Sequence, residues 1–197
     1  MNKLSHDYVV CIDASIQSSG VSIYNVETNK TYIYSYTNKI KNNLKFQTFN
    51  FEIFIEKQLG KFEDYFDKYM NISEQININI IDKINNNTIF YIEGYAFSGG
   101  GKNFNIGEFG GLLKYHFYKK GFNMISIAPS TWKKGAIGKG NANKKVVYDS
   151  MIQSNYYKEL LTEFSNLGYP YKDKCFIEDI ADVIAIQKYV LEIFMLE

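Results

Sequence analysis

Histidine and cysteine are scarce in this chain, with two of each among 197 residues. With only His6 and His116 available, a histidine-rich zinc site is excluded, and carboxylates must carry any metal. Cys11 and Cys175 lack framework spacing, which excludes a disulfide scaffold and points to a reduced, intracellular setting. No stretch is long and apolar enough to span a bilayer. The apolar run after Asp7 is too short for a signal peptide and ends at Asp13, so a cytoplasmic protein is expected, in a host cytoplasm if the chain is phage- or virus-encoded. An excess of one charge is also missing. With 22 Lys and Arg against 21 Asp and Glu, the net charge is +1, so any affinity for nucleic acid must come from local clustering.

What is present is apolar and aromatic. Hydrophobic residues make up 46% and aromatics 17%, enough for one globular domain over 1–197 with a sizeable core. Tyr8 to Ile12 reads as a buried strand ending at Asp13. Val21 to Val26 and Thr31 to Tyr36 complete an antiparallel meander. Asn38 to Asn43 is a polar connection. Apolar residues at Phe46, Phe49, Ile53, Phe54, Leu59, Phe62, Phe66 and Tyr69 follow a helical period, with Gly60 as a kink or division. Ile76 to Asn87 fits a helix continuation, a loop or an insert. Thr88 to Ile92 is a short strand that ends at Glu93, and Gly99 to Gly101 is a flexible break. Phe104 to Tyr118 reads as a helix, Met124 to Ile127 as a strand stopped by Pro129, and Asn141 to Ile152 as a helix. Asn155 to Lys174 is irregular apart from a helical segment near Leu160. A closing helix begins around Glu178. This order predicts an α/β protein with one mixed sheet and helices on its faces.

The chemistry gathers in acids. Asp179 and Asp182 are three apart, so a helix stacks them on one face. Taken alone, acids in a first helical turn answer the macrodipole. Asp13 and Glu93, however, each close a buried strand, where α/β sheets bind ligands. Four carboxylates at one spot select hard cations such as Mg²⁺ or Mn²⁺, and two such ions serve phosphodiester hydrolysis. From Ser130 to Lys145 the chain has Lys133, Lys134, Lys139, Lys144 and Lys145 and no acid. Gly135, Gly138 and Gly140 alternate with them, so backbone N–H groups can also approach phosphate. Gly140 follows Lys139 where a Walker A loop needs Ser or Thr. Trp132 reads as core or hinge packing.

Asp13 in Val-Cys-Ile-Asp, Glu93 in Phe-Tyr-Ile-Glu and the pair Asp179-x-x-Asp182, together with Gly138 to Lys144, resemble the RuvC-type Holliday junction resolvases of the ribonuclease H-like superfamily. The resemblance covers nearly the whole chain in order. It implies a ribonuclease H-like mixed five-stranded sheet flanked by helices. It also implies a homodimer that nicks four-way junctions and other branched DNA, with two Mg²⁺ or Mn²⁺ ions per active site and a 5′-phosphate product. Asp13, Glu93, Asp179 and Asp182 would be the catalytic and metal residues, with Glu178 the alternative to Asp179. Lys133 and Lys144 would contact phosphate, and Tyr95 or Phe97 would wedge into the junction. The helix from Phe104 to Tyr118, with Gly107, Gly110 and Gly111, matches the family's dimer helix in chain order. Two other readings compete: a catalytically inactive branched-DNA-binding module, and an actin- or sugar-kinase-like ATPase, which would need a second such domain.

Overall fold

A computed structural model describes residues 5–58, 62–94, 102–172 and 175–196. Strands β1 (Tyr8–Asp13), β2 (Ser18–Asn25) and β3 (Lys30–Thr37) form the expected antiparallel meander. They are followed by β4 (Leu44–Gln47), β5 (Phe51–Lys57), α1 (Tyr65–Ile81), β6 (Thr88–Glu93), α2 (Lys102–Tyr118) and β7 (Met124–Ile127). Four helices follow among the described residues: α3 (Pro129–Ile137), α4 (Lys144–Gln153), α5 (Lys158–Asn166) and α6 (Phe176–Leu196).

Among the described residues the sheet has seven strands in the order β4-β5-β3-β2-β1-β6-β7, not five. The two further strands come from the segment whose spacing suggested a helix from Phe46 to Tyr69. Phe51, Ile53 and Ile55 are fully buried and alternate with half-buried Glu52, Phe54 and Glu56, a period of two. β5 pairs in parallel with β3, and β4 folds back antiparallel on β5. Phe49, which had supported the helical period, is the hairpin tip and 90% exposed. The helix begins only at Tyr65, where the Asp64 side chain accepts from the N–H of Asp67. It runs to Ile81, which settles the segment from Ile76 onward as a helix end followed by a turn. Gly60 lies outside the described residues.

Pro129 stops β7 and also starts α3, since proline at the first helical position gives up an N–H that had no partner. Helix α4 starts at Lys144 rather than Asn141 because Asn143 caps it, accepting from the N–H of Val146 at 3.0 Å.

Alternation along the strands divides the core. Val10, Ile12, Phe90 and Ile92 face α1 and α2, where Tyr69, Ile76, Phe109 and Leu113 bury them. Val9 and Cys11 face α6, where Ile180, Val183 and Ile184 pack. Helix α6 lies between β1, β2 and β3 on one side and α3 and α4 on the other, so it is apolar nearly all round. Gly20 on β2 sets its depth: a Cβ there would stand 3.0 Å from the carbonyl oxygen of Asp179 and 3.3 Å from Val183 Cβ. Among the described residues, no helix is long and apolar enough to cross a membrane.

Candidate active site

The same alternation aims the strand-end acids. Asp13 continues the face of Val9 and Cys11, and Glu93 continues that of Ile89 and Tyr91, so both turn toward α6. β1 and β6 are parallel neighbours, which brings the two ends together. Opposite them, the first turns of α6 present Asp179 and Asp182. Asp13, Asp179 and Asp182 are 5%, 2% and 6% exposed, and each offers an oxygen within 4.8 Å of the others.

The four acids do not play equal parts. A cavity of about 340 Å³ is lined by Asp13, Glu93 and Asp182, with Lys133 and Lys144 on its wall. Asp179 is not among its lining residues. Both Asp179 oxygens are taken by lysines: Oδ2 accepts from Lys39 Nζ at 2.8 Å, and Oδ1 accepts from Lys144 Nζ. Lys144 Nζ also lies 3.4 Å from Asp182 Oδ2. Glu178 is separate from this cluster and accepts from the Tyr171 hydroxyl at 3.1 Å.

Burial and mutual repulsion govern the electrostatics. Burial, then Glu93 and Asp182, push the Asp13 carboxyl well above the usual carboxylate range, against the pull of Lys144. Burial also lifts Asp182, to about 7; Lys144 and Lys133 oppose that rise and Glu93 and Asp179 add to it. For Lys144, burial disfavours the ammonium, but Asp182, Asp179 and Asp13 outweigh it and hold its pKa above the ordinary lysine value. Within this acid cluster, Asp182 Oδ1 is buried and has no hydrogen-bond partner among the described residues. A buried, unpartnered carboxylate oxygen beside an oxygen-only donor set fits a hard divalent cation.

Two site residues carry more than the sequence suggested. Trp132 is fully buried, as core packing requires, but its Nε1–H also donates to Glu93 Oε1 at 3.0 Å and fixes that carboxylate. The available signal was chemical, since a buried indole N–H needs an acceptor. Lys39 lay in the polar connection after β3, and its partner Asp179 is 140 positions away, so no local pattern marked it.

The basic segment resolves into α3, a turn and α4. Gly138 ends α3 in the left-handed conformation, at φ 82°. Lys133 and Lys144 reach the cavity, whereas Lys134 and Lys139 are exposed outside it. Lys145 pairs with Asp149 at 2.6 Å. Tyr95 and Phe97 lie outside the described residues.

No family model matches the chain, and no curated protein matches it in sequence. Solved structures do match. Thermus thermophilus RuvC is 13% identical with a TM-score of 0.57, over 94% of this chain and 96% of that one. T. thermophilus RuvC in complex with Holliday junction substrate gives 14% and 0.59, over 95% and 96%. The yeast mitochondrial Holliday junction resolvase gives 15% and 0.55, over 94% and 77%. In architecture, a mixed sheet flanked by helices, the chain therefore resembles the RuvC-type Holliday junction resolvases.

Proposed function

We propose that this protein is a divalent-cation-dependent nuclease that nicks branched DNA, four-way junctions foremost, as a homodimer. The observation that carries the reading is the cavity itself: Asp13, Glu93 and Asp182 face Lys133 and Lys144 across one recess at the strand ends. A DNA-binding surface without chemistry has no use for buried acids in its groove, because they repel phosphate. Asp13, Glu93 and Asp182 would hold Mg²⁺ or Mn²⁺, with Asp179 behind them. Two such ions, when bound, supply a nucleophile at neutral pH and neutralise charge on the leaving oxygen. Trp132 orients Glu93 for that task. Lys133 and Lys144 hold the phosphate beside the acids and position the strand without reading its sequence. Tyr95 or Phe97 would stack at the branch point.

The homodimer reading rests on α2. Phe109, Leu113 and Phe117 bury one face against the sheet. Phe104, Gly107, Gly111, Tyr115 and Tyr118 recur at spacings of three and four on another, with Phe104, Tyr115 and Tyr118 exposed. A Cβ at Gly111 would meet nothing within 4 Å, so a second helix can approach closely there. A junction has near two-fold symmetry, and paired cuts call for two sites related by a dyad.

The test is nicking of a four-way junction, a flap and a plain duplex with Mg²⁺, Mn²⁺ or EDTA. EDTA-sensitive cutting that favours the junction is the expected result. Junction binding without cutting would support the inactive module, and ATP hydrolysis without cutting would support the kinase-like reading; either would overturn the proposal.

A further inference from the structure

The two lysines on Asp179 are bound in different ways. Lys39 is fixed. Its backbone N–H donates to Thr37 Oγ1 at 3.1 Å, and its Nζ donates to Asp179 Oδ2 at 2.8 Å and to the Cys175 carbonyl at 3.4 Å. Lys144 approaches from the cavity side, reaches Asp179 Oδ1 and Asp182, and its side chain is 44% exposed against 29% for Lys39. Its ammonium thus stands among Asp13, Asp179 and Asp182, the group whose oxygens converge within 4.8 Å.

We propose that Lys39 is the permanent positioning partner of Asp179, and that Lys144 is an exchangeable cation which leaves the acids when a divalent ion enters and then becomes available to a DNA phosphate. Ammonium and metal compete for Asp182, and Lys144 occupies the space beside Asp13 that an ion would fill, so loading the ion and freeing the lysine are one event. Lys39 makes the exchange feasible. Without it, the departure of Lys144 would leave Asp179 buried, charged and unpaired, which is strongly unfavourable. Metal binding and DNA grip are then coupled through one side chain, and the coupling is reciprocal. The metal half rests on the cation site of the proposed function, and only the DNA half rests on its nuclease reading.

Calorimetric titration of the full chain with Mn²⁺ tests the first half. Lys144→Met removes the competitor and is expected to tighten Mn²⁺ binding on the order of tenfold. Lys133→Met, which lines the same cavity without contacting Asp179, removes the same charge and is expected to change it less than about threefold through the screened field. Lys39→Met is expected not to tighten it, since Asp179 then depends on Lys144 and holds it, and Lys39→Arg is expected to behave as wild type. Equal tightening in all three methionine variants would reduce the effect to net charge and overturn the proposal, as would Mn²⁺ binding in Lys144→Met no tighter than wild type. The second half is read by anisotropy of a labelled junction in Ca²⁺ against EDTA. Wild type should gain several-fold affinity from Ca²⁺, and Lys144→Met should gain little. An equal gain in both would overturn the release of Lys144 to DNA. A wild type that binds no junction would instead sink the nuclease reading and leave the Mn²⁺ result standing.

Discussion

Asp182→Asn should make the metal-free protein more stable while abolishing cleavage. Asp182 is nearly inaccessible, and its carboxyl is lifted from 3.8 to about 7, chiefly by burial. Each pKa unit corresponds to about 1.4 kcal/mol, so holding the ionised group in the fold above neutrality costs up to roughly 4 kcal/mol, an upper bound because neighbouring acids share the repulsion. Asparagine keeps the shape without the charge. It also weakens the 3.4 Å contact to Lys144, but that lysine is 44% exposed. The lost contact is therefore worth no more than about 1 kcal/mol. The net gain at pH 8 in EDTA is about 1–3 kcal/mol, or roughly 2–10 °C in Tm for a chain of this size. The sign with pH follows from the direction of the shift. A raised folded pKa means that the native state holds the extra proton, so the penalty is absent near pH 4, grows toward 7 and is complete above it. Urea denaturation of both proteins at pH 5 and pH 8 in EDTA reads this directly. Saturating Mg²⁺ should then stabilise wild type and leave Asp182→Asn nearly unmoved. An Asp182→Asn protein less stable than wild type at pH 8 in EDTA, or a difference independent of pH, would refute the reasoning.

Three further outcomes follow from single contacts. Trp132→Phe keeps most of the packing but removes the 3.0 Å bond to Glu93, so single-turnover nicking should slow by roughly one order of magnitude or more, consistent with about 1.5–3 kcal/mol for a hydrogen bond to a charged group; an unchanged rate would take the indole out of the mechanism. Gly20→Ala sets a methyl 3.0 Å from the Asp179 carbonyl, and it should destabilise the fold by about 1–3 kcal/mol and weaken Mn²⁺ binding as α6 shifts; calorimetry measures both. Gly111→Glu adds charge and bulk to the α2 stripe and should yield a monomer by light scattering with its thermal stability within about 1 kcal/mol of wild type, whereas a dimer of unchanged mass would move the interface elsewhere.

The acids were legible in the sequence because each is tied to a local period. Asp13 and Glu93 end strands whose alternation aims them at one face, and Asp179 and Asp182 share a helical turn. Position alone could not divide their labour. That Asp179 serves two lysines while Asp182 keeps an unpartnered oxygen depends on Lys39, brought in from the connection after β3. The segment from Phe46 to Tyr69 misled for a related reason. Two short strands and a helix start put aromatics at spacings that one continuous helix also explains, and only burial distinguishes exposed Phe49 from buried Phe51. Helix α3 was hidden by its own Pro129, which closes one element and opens the next.

Helix α6 has a consequence for how the acid cluster is assembled. It fills the middle of one core layer yet follows every strand in the chain, so its contacts with β1 and β2 are among the longest-range in the molecule. Such contacts form late, after the entropy of closing the intervening chain has been met. The carboxylates of β1 and β6 are therefore expected to gain their partners only once α6 docks. A partly folded intermediate, with the sheet formed and α6 undocked, would hold half of the acids and neither the Asp179 anchor nor the lysine it tethers. On the proposed nuclease reading, competence to cut is expected to arrive in one step with the docking of α6.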